Sequence, residues 1–570
     1  MSYVIFDADV LVVGSGGAGC RAALEAHYKG VSVAVVCKGR FGKCGTTAFP
    51  VADTAGFNVA DGCVDPEDSP VEHYKDILNA GLGMAYSNLA KVLAEEALAT
   101  IPFLESRGAE FQKDPETRRY LEVVGCFASR PRMHILKGHG EPIVRALTSE
   151  IREAPIKVFE DTLVLELLTS DGRVTGAVGV DRDGRSIIFR TKALILATGG
   201  ASQLFKYTLT PPDITGDGYA LGLKAGAQLV NMEFMQVVLG TVAPSKTQLN
   251  TFLWCARPKL TNAKNEEFLG RYLPSVVTID EAMAAKSKHF PFSSRDNSRF
   301  IEIGVQTEIL EGRGTTNGAV YLDLTTITDE RVKALSADSP LRKVWPFVKE
   351  FMNRRGLAPG AKPVEIGCFA HAINGGLKID EFGRTSVAGL YAAGEVAGGP
   401  HGADRLGGNM LLTCQVFGAR AGRHAAEFAA RSTSSPVPKR AEEVCTGLAS
   451  LLGKPGLCTP REVKRKLQEA MWRGVLVVRT AGSLNRTLEE LNSLEAELPN
   501  VKLEDGESLI AFFELQNLLL AGRAIIQAAL HRKESRGSHY RADYPLLRPD
   551  YGRPLLLTMD DAGLQVQEEQ

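Results

Sequence analysis

DVLVVGSGGAGCRAALEAHYKGVSVAVVCKGRFGKCGTT (Asp9–Thr47) is the stretch whose reading decides the fold. It opens with an apolar run, Val10–Val13, of buried-strand length. Gly14, Gly16 and Gly19 follow in G-x-G-x-x-G order, Cys20–Lys29 carries helical spacing, and Val31–Val36 is a second β-branched run. Strand, glycine turn, helix and strand make a βαβ unit. Gly14 allows the tight turn, Gly16 lets the backbone approach a pyrophosphate, and Gly19 lets the helix pack close on the strand. Gly17 sits beside that approach. The pyrophosphate would then lie on the helix N-terminus, where unpaired N–H groups and the macrodipole favour negative charge. The stretch predicts a dinucleotide site.

The acidic residue that would hold an NAD ribose at the end of the second strand is absent, and Cys37-Lys38 stands there instead. Far downstream, GLYAAGEVAGGPHGADRLGGNMLLTCQVFGARAG (Gly389–Gly422) reads as strand, Gly-rich loop and helix. A late second contact segment of this kind points to FAD rather than NAD.

A chain of 570 residues is longer than one core usually supports, so two to four domains are expected. Hydrophobic residues make up 44% and charged ones 23%, as in ordinary globular proteins. The formal net charge of −1 gives no reason to propose nucleic acid or an anionic membrane as partner. No uninterrupted apolar run approaches the ~18–20 residues of a membrane span. The start, MSYVIFDADV, lacks the basic and apolar regions of a signal peptide, so a cytoplasmic location is expected, with any membrane reached through partner subunits. The ten cysteines contain no C-x-x-C, which argues against metal or iron–sulfur ligation and against a disulfide framework. Iron–sulfur centres, if electrons pass through them, belong to another polypeptide.

Along the chain, helical spacing marks Val71–Ala80 and Asn88–Arg107. Arg130–Gly140 (RPRMHILKGHG) is basic and holds His134 and His139, a loop that either faces solvent or lines an anionic site. Ile156–Arg190 alternates β-branched residues with turn signals at Asp171-Gly172 and Asp183-Gly184, predicting antiparallel hairpins that feed the strand Ala193–Ala197 and the turn Thr198-Gly199-Gly200. From Val237 to about Pro359 the pattern is irregular and mixed, as in an inserted domain. Helical segments near 440–453, 461–498 and 506–533 follow a Ser/Pro linker.

These residues resemble the flavoprotein subunit of the succinate dehydrogenase and fumarate reductase superfamily, which also holds L-aspartate oxidase. The matches run in family order: GSGGAG (14–19), ATGG (197–200), TGDG (215–218), MEF-x-Q (232–236), SRD (294–296) and YLDL (321–324). They continue with H-x-x-N-G-G (371–376), GLYAAGE (389–395), HGADRLGGN (401–409), MW-x-x-V-x-V-V-R (471–479) and RKESRGSHYRADYP (532–545). The resemblance implies an α/β fold: a Rossmann-like FAD-binding domain in two segments (1–236 and 359–430), an inserted α+β capping domain (237–358), a C-terminal helical domain (431–545) and a tail (546–570). It implies FAD contacts at the glycine turn, at Cys37 and Lys38, at Thr46 and Thr47, and at Thr198, Gly199 and Gly200. Asp217, Gly394, Glu395, Asn409 and Leu411 complete that set.

Reducing an activated C=C needs a hydride donor, a proton donor and cations that hold the carboxylate. Arg405, a fork donor in a Gly-rich loop, suits bidentate carboxylate binding, and His371 precedes another close-approach loop. By resemblance, Arg295 matches the arginine that delivers the proton, while His371 and Arg405 match the pair that clamps a substrate carboxylate. His134 and His401 are further candidates for the pocket.

Three departures from the family pattern matter. Its Ser-His-Thr, whose histidine carries the flavin, reads Cys44-Gly45-Thr46, so FAD should bind noncovalently. The His-Pro-Thr after MEF-x-Q is replaced, with Val238 at the histidine position. The Thr-Glu pair that follows is Asn250-Thr251 or missing. Replacing imidazole with valine would leave a second carboxylate desolvated and unpaired. The expected substrate therefore keeps one carboxylate and has an apolar or bulkier far half, and simple fumarate or succinate is disfavoured. Electrons would pass to or from a separate iron–sulfur subunit. Two other functions stay open: an amino-acid oxidase of the aspartate oxidase type, and an electron-transfer subunit with an altered pocket.

Overall fold

The computed structural model describes residues 3–49, 55–114, 117–337 and 339–570. At its centre β1 (Val4–Val13) runs parallel to β2 (Val33–Val36) on one side and to Ser186–Leu196 on the other. Lys157–Phe159 extends the sheet beyond β2, and Leu390–Ala392 pairs in parallel with Ser186–Leu196. Thr162–Ser170 and Arg173–Asp181 complete seven strands as an antiparallel meander. Val10–Val13 are buried, the continuous apolar signature of a strand covered on both faces. Asp171 (φ 52°) and Gly172 (φ 72°) form the two-residue turn, both with the positive φ that a type I′ hairpin needs.

The glycine turn works by close approach. Gly14 lies at φ +110°, and a Cβ there would stand 2.2 Å from the Ala197 carbonyl oxygen. A Cβ on Gly19 would stand 2.0 Å from the Gly14 oxygen, so α1 (Gly17–Tyr28) can only sit on the strand without one. The helix Asn409–Ala430 packs on α1 in the same manner: Cβ atoms on Gly418 and Gly422 would meet Ala18 and Ala22 oxygens at 2.8 and 2.3 Å.

A second, five-stranded sheet carries the mixed region. Its two long strands, Met235–Ala243 and Val364–Ile373, are antiparallel, with Val320–Asp323, Lys259–Thr261 and Thr247–Gln248 added at the edges. Gln236 pairs with Ala372 and Val237 with Ala370, so His371 is the extra residue of a β-bulge. Bulges re-aim side chains, and this one carries a residue of the candidate site.

The C-terminal region packs Pro460–Val475, Ala481–Glu497 and Gly506–His531 together. The expected segment 461–498 is two helices, because Thr480 starts a new one by capping Ser483 N–H with its hydroxyl. Gly506–His531 is long and apolar enough to cross a membrane, with 67% of its apolar window buried inside the fold. Glu514, Gln516 and Asn517 interrupt it, so the sequence shows no unbroken apolar run there. Residues 555–568 form a hairpin whose first strand pairs with Leu229–Val230. The motif RKESRGSHYR is a buried brace: Arg532 meets Glu233 at 2.6 Å and Glu534 at 3.0 Å, and the Ser538 hydroxyl donates to Ala403 O at 2.8 Å. It fixes the segments that carry Gln236 and Arg405.

Gly14→Ala is expected to destabilise the protein by on the order of 3 kcal/mol through strain and overlap. Gly16→Ala, whose nearest neighbour would be Thr47 Oγ1 at 3.8 Å, should fold normally yet lose flavin. Denaturant melts and flavin content after gel filtration check both.

Candidate active site

A cavity of about 1530 Å³ lies between the glycine turn and the capping region. Two helices point their N-termini at it. Neither α1, after Gly16, nor Asn409–Ala430, after Gly408, has a side-chain cap, and Gly16, Gly17, Gly408 and Leu411 are on the wall. Their first-turn N–H groups and dipoles favour an anion there, and Gly17 N–H already donates to Thr47 Oγ1 at 3.2 Å. Thr198, Gly199, Thr46, Thr47 and Gly394 are also on the wall. Thr46 Oγ1 and Thr198 Oγ1 are buried polar atoms without a hydrogen-bond partner in the protein.

Cys37 and Lys38 line the cavity where β2 ends. Lys38 Nζ donates to Thr215 Oγ1, to Asp217 Oδ2 at 2.7 Å and to Glu514 Oε1 at 2.8 Å. Burial works against its charge, but Asp217 and Glu514 outweigh it and hold the ammonium above the usual lysine range. Gly45, at the position of the family's flavin-linked histidine, has φ +83° and donates its N–H to Asp213 Oδ2 at 2.7 Å.

At the far end, Arg405, His371 and Glu395 come together on the wall. The Arg405 guanidinium is buried, and its partners are the Gln236 amide oxygen (2.6 and 3.1 Å) and the Leu406 carbonyl (2.9 Å). Among the described residues no carboxylate forms an ion pair with it. Burial brings its pKa down to about 10, so it is still charged at neutral pH. Burial, then Arg405, bring the pKa of His371 down to about 3, so its ring is neutral, and its Nδ1 is unpartnered. Glu395 accepts from Ile373 N–H at 3.0 Å, and burial raises its pKa to about 7. Gly200, off the wall, makes room for it: a Cβ there would lie 2.1 Å from Glu395 Oε1.

Other expected residues lie elsewhere. Arg295 is not on the wall; its Nε bonds Asp404 Oδ2 at 3.1 Å, and its guanidinium covers the Phe127 ring at 4.6 Å. Phe127 lines the cavity between them. Val238 is sealed in the strand opposite Phe369. His401 is buried beside Thr413 Oγ1 at 3.4 Å. Asn409 holds Asn58 (2.7 Å) and His73 (3.1 Å) rather than the wall. His134 alternates along its strand with Met133 and Ile135, which face the cavity, and points instead to Asp61 (3.2 Å) and Glu122 (3.3 Å). Those three groups could converge on a cation, a cluster that the cysteine spacing gave no hint of. His139 is on the wall.

Three wall residues escaped sequence reasoning. His289 bonds Asp296 Oδ2 at 2.8 Å and stacks on Phe127 at 4.8 Å; its nearness to SRD was the one available signal. Asp296 is held below the usual carboxylate range because His289 outweighs its burial. Gln248 Oε1 is buried and unpartnered, and Phe290 packs edge-on to His371 at 5.7 Å. Asn250 and Thr251 also reach the wall, but their side chains bond Phe252 N–H (2.9 Å) and Lys286 O (2.6 Å).

A family model described as an FAD binding domain matches residues 9–411, and one described as fumarate reductase flavoprotein C-term matches 464–562. The chain belongs to the succinate dehydrogenase and fumarate reductase flavoprotein family. It is 34% identical to a subunit of the fumarate reductase (CoM/CoB) of Methanothermobacter marburgensis over 566 residues, 98% of each chain. It is 31% identical to the L-aspartate oxidase of Streptomyces coelicolor over 94% of this chain and 89% of that one. Mycobacterium smegmatis Sdh1, solved in complex with UQ1, superposes with a TM-score of 0.84 at 30% identity, covering 100% of this chain and 95% of the other. The protein is an FAD-dependent oxidoreductase of the fumarate reductase and succinate dehydrogenase type.

FAD fits the residues present. The orphaned hydroxyls of Thr46 and Thr198, the two helix N-termini that lack an N-cap side chain and the open face of Gly16 are what a pyrophosphate and its riboses would satisfy.

Glu395 gives a pH test. Its raised pKa means that the folded state keeps a proton that the unfolded chain releases near pH 4.5, so this stabilisation is full below 4.5 and lost by about pH 7. Urea melts of the flavin-free protein should show a shallower decline between pH 4.5 and 7 in Glu395→Gln than in wild type.

Proposed function

We propose that the protein moves a hydride between flavin N5 and the β-carbon of a substrate with one carboxylate and an apolar far half, exchanging electrons with a separate iron–sulfur subunit. The observation that supports this reading best is Arg405, a buried cation on the wall that no carboxylate among the described residues neutralises. Its free donors match a carboxylate's geometry. Neutral His371, with Nδ1 unpartnered, adds a hydrogen bond and no second charge. Val124, Phe127 and Phe290, also on the wall, keep water away from an apolar group, and Val238 leaves the position of the family's second histidine without an imidazole.

FAD, held noncovalently because Gly45 provides no imidazole, would supply two-electron hydride chemistry. Arg295, paired with Asp404 at 3.0 Å, would donate the proton once the Phe127 ring it covers at 4.6 Å moves aside. Three outcomes are expected. Acid precipitation should leave all the flavin in the supernatant. Arg405→Met should lower kcat/KM by roughly 10²-fold, the worth of a charge-assisted bond. Arg295→Ala should lower kcat by about 10²–10⁴-fold with flavin content unchanged. Wild-type turnover by either variant would contradict the assignment.

A further inference from the structure

Ten free thiols are scattered over the chain, and two of them converge where the nucleotide end of the cavity begins. Cys37 follows β2, and Cys44 closes the loop that leaves it. Both turn in against Gly39. The Cys37 thiol donates to the Gly39 carbonyl at 3.2 Å, and a Cβ on Gly39 would stand 3.0 Å from Cys44 Cβ and 3.7 Å from its sulfur. With no Cβ at Gly39 the second cysteine comes in, so the two side chains meet at one residue. Cys44 is part-exposed on the cavity wall, its sulfur 3.3 Å from the Ser15 hydroxyl of the glycine turn, whereas Cys37 is almost wholly covered.

We propose that Cys37 and Cys44 are a dithiol site at the FAD cradle that small disulfides of the glutathione class oxidise to a reversible intramolecular disulfide. The two positions divide the work. The Cys37 thiol and the Ser15 hydroxyl both stabilise the Cys44 thiolate, bringing its pKa to about 7 against the cost of burial. A thiol that titrates near ambient pH is the best attacking nucleophile. Cys37 is pushed upward by Cys44 and by burial, so it is the resolving partner. Cys44 thiolate attacks one sulfur of the small disulfide, forms a mixed disulfide and expels one small thiolate. Cys37 then gives its proton to that thiolate, attacks the Cys44 sulfur and releases the second. Two protein thiols lose two electrons and two protons, and one small disulfide becomes two small thiols. The bond closes an eight-residue loop and pins the segment carrying Thr46 and Thr47 to the end of β2.

The test uses the flavin-loaded full chain, reduced, desalted and incubated anaerobically with oxidised glutathione. The expected result is the loss of two of the ten thiols, no retained glutathione, and a tryptic pair in which the peptide ending at Lys38 is joined to the one starting at Cys44. Dithiothreitol should reverse it. Cys37→Ser should instead stop at a glutathione adduct on Cys44, and Cys44→Ser should keep all its remaining thiols. The proposal is overturned if wild type keeps ten thiols, if it stops at the adduct, or if Cys44 pairs with Cys20, whose thiol bonds Ser15 O at 3.2 Å.

Discussion

A guanidinium buried without a carboxylate opposite it costs several kcal/mol unless hydrogen bonds and a later anion make up the loss. Arg405 is in that position, and much of the surrounding structure can be understood as holding it there. Gln236 takes two of its N–H groups with a single neutral oxygen. Leu406 O takes a third. Glu395, the acid whose charge bears on it, has its own pKa raised by burial to about 7. A carboxylate directed at Arg405 from within the protein would satisfy it and block it; the chain supplies amides and carbonyls instead.

That arrangement depends on distant parts of the chain. The bulge between Met235–Ala243 and Val364–Ile373 frees His371 from strand pairing and presents it beside Arg405. The C-terminal brace grips Glu233 through Arg532 and Ala403 through Ser538, three and two residues from Gln236 and Arg405 respectively. The motif RKESRGSHYR therefore acts through position rather than through substrate contact. At the other end of the cavity, Lys38, Asp217 and Glu514 build a charged knot where an NAD protein would offer a bare acid, and it ties the nucleotide domain to the C-terminal helices.

Much of this was legible in the sequence because backbone constraints leave local marks. The glycine spacing of 14–19 encodes the overlap with Ala197 O, and Asp171-Gly172 encodes its own hairpin. What was not legible depends on tertiary direction. His134 sits in a basic, histidine-bearing loop, yet strand alternation turns it from the cavity while Met133 and Ile135 face in. Val238 stands at a position that suggested a pocket wall, but the strand buries it against Phe369. Arg295 belongs to the expected motif and still lies one aromatic ring from the cavity, since Phe127, far away in sequence, intervenes. His289 reaches the wall only because Asp296 and Phe127 meet it there. The break at Thr480 was hidden because the apolar spacing continues on both sides of it.

The missing imidazole at position 238 is the point on which the substrate turns. Val124, Phe127 and Phe290 share the cavity wall with Arg405, and Val238 stands where the family carries a histidine, so the second carboxylate of a dicarboxylate loses that partner. The direct measurement is anaerobic: reduce the bound flavin, then follow its reoxidation by fumarate and by monocarboxylic enoates with apolar or aromatic substituents. Fast reoxidation by a monocarboxylic enoate and slow reoxidation by fumarate are expected. Fumarate reoxidising the flavin as fast as the best enoate would contradict this.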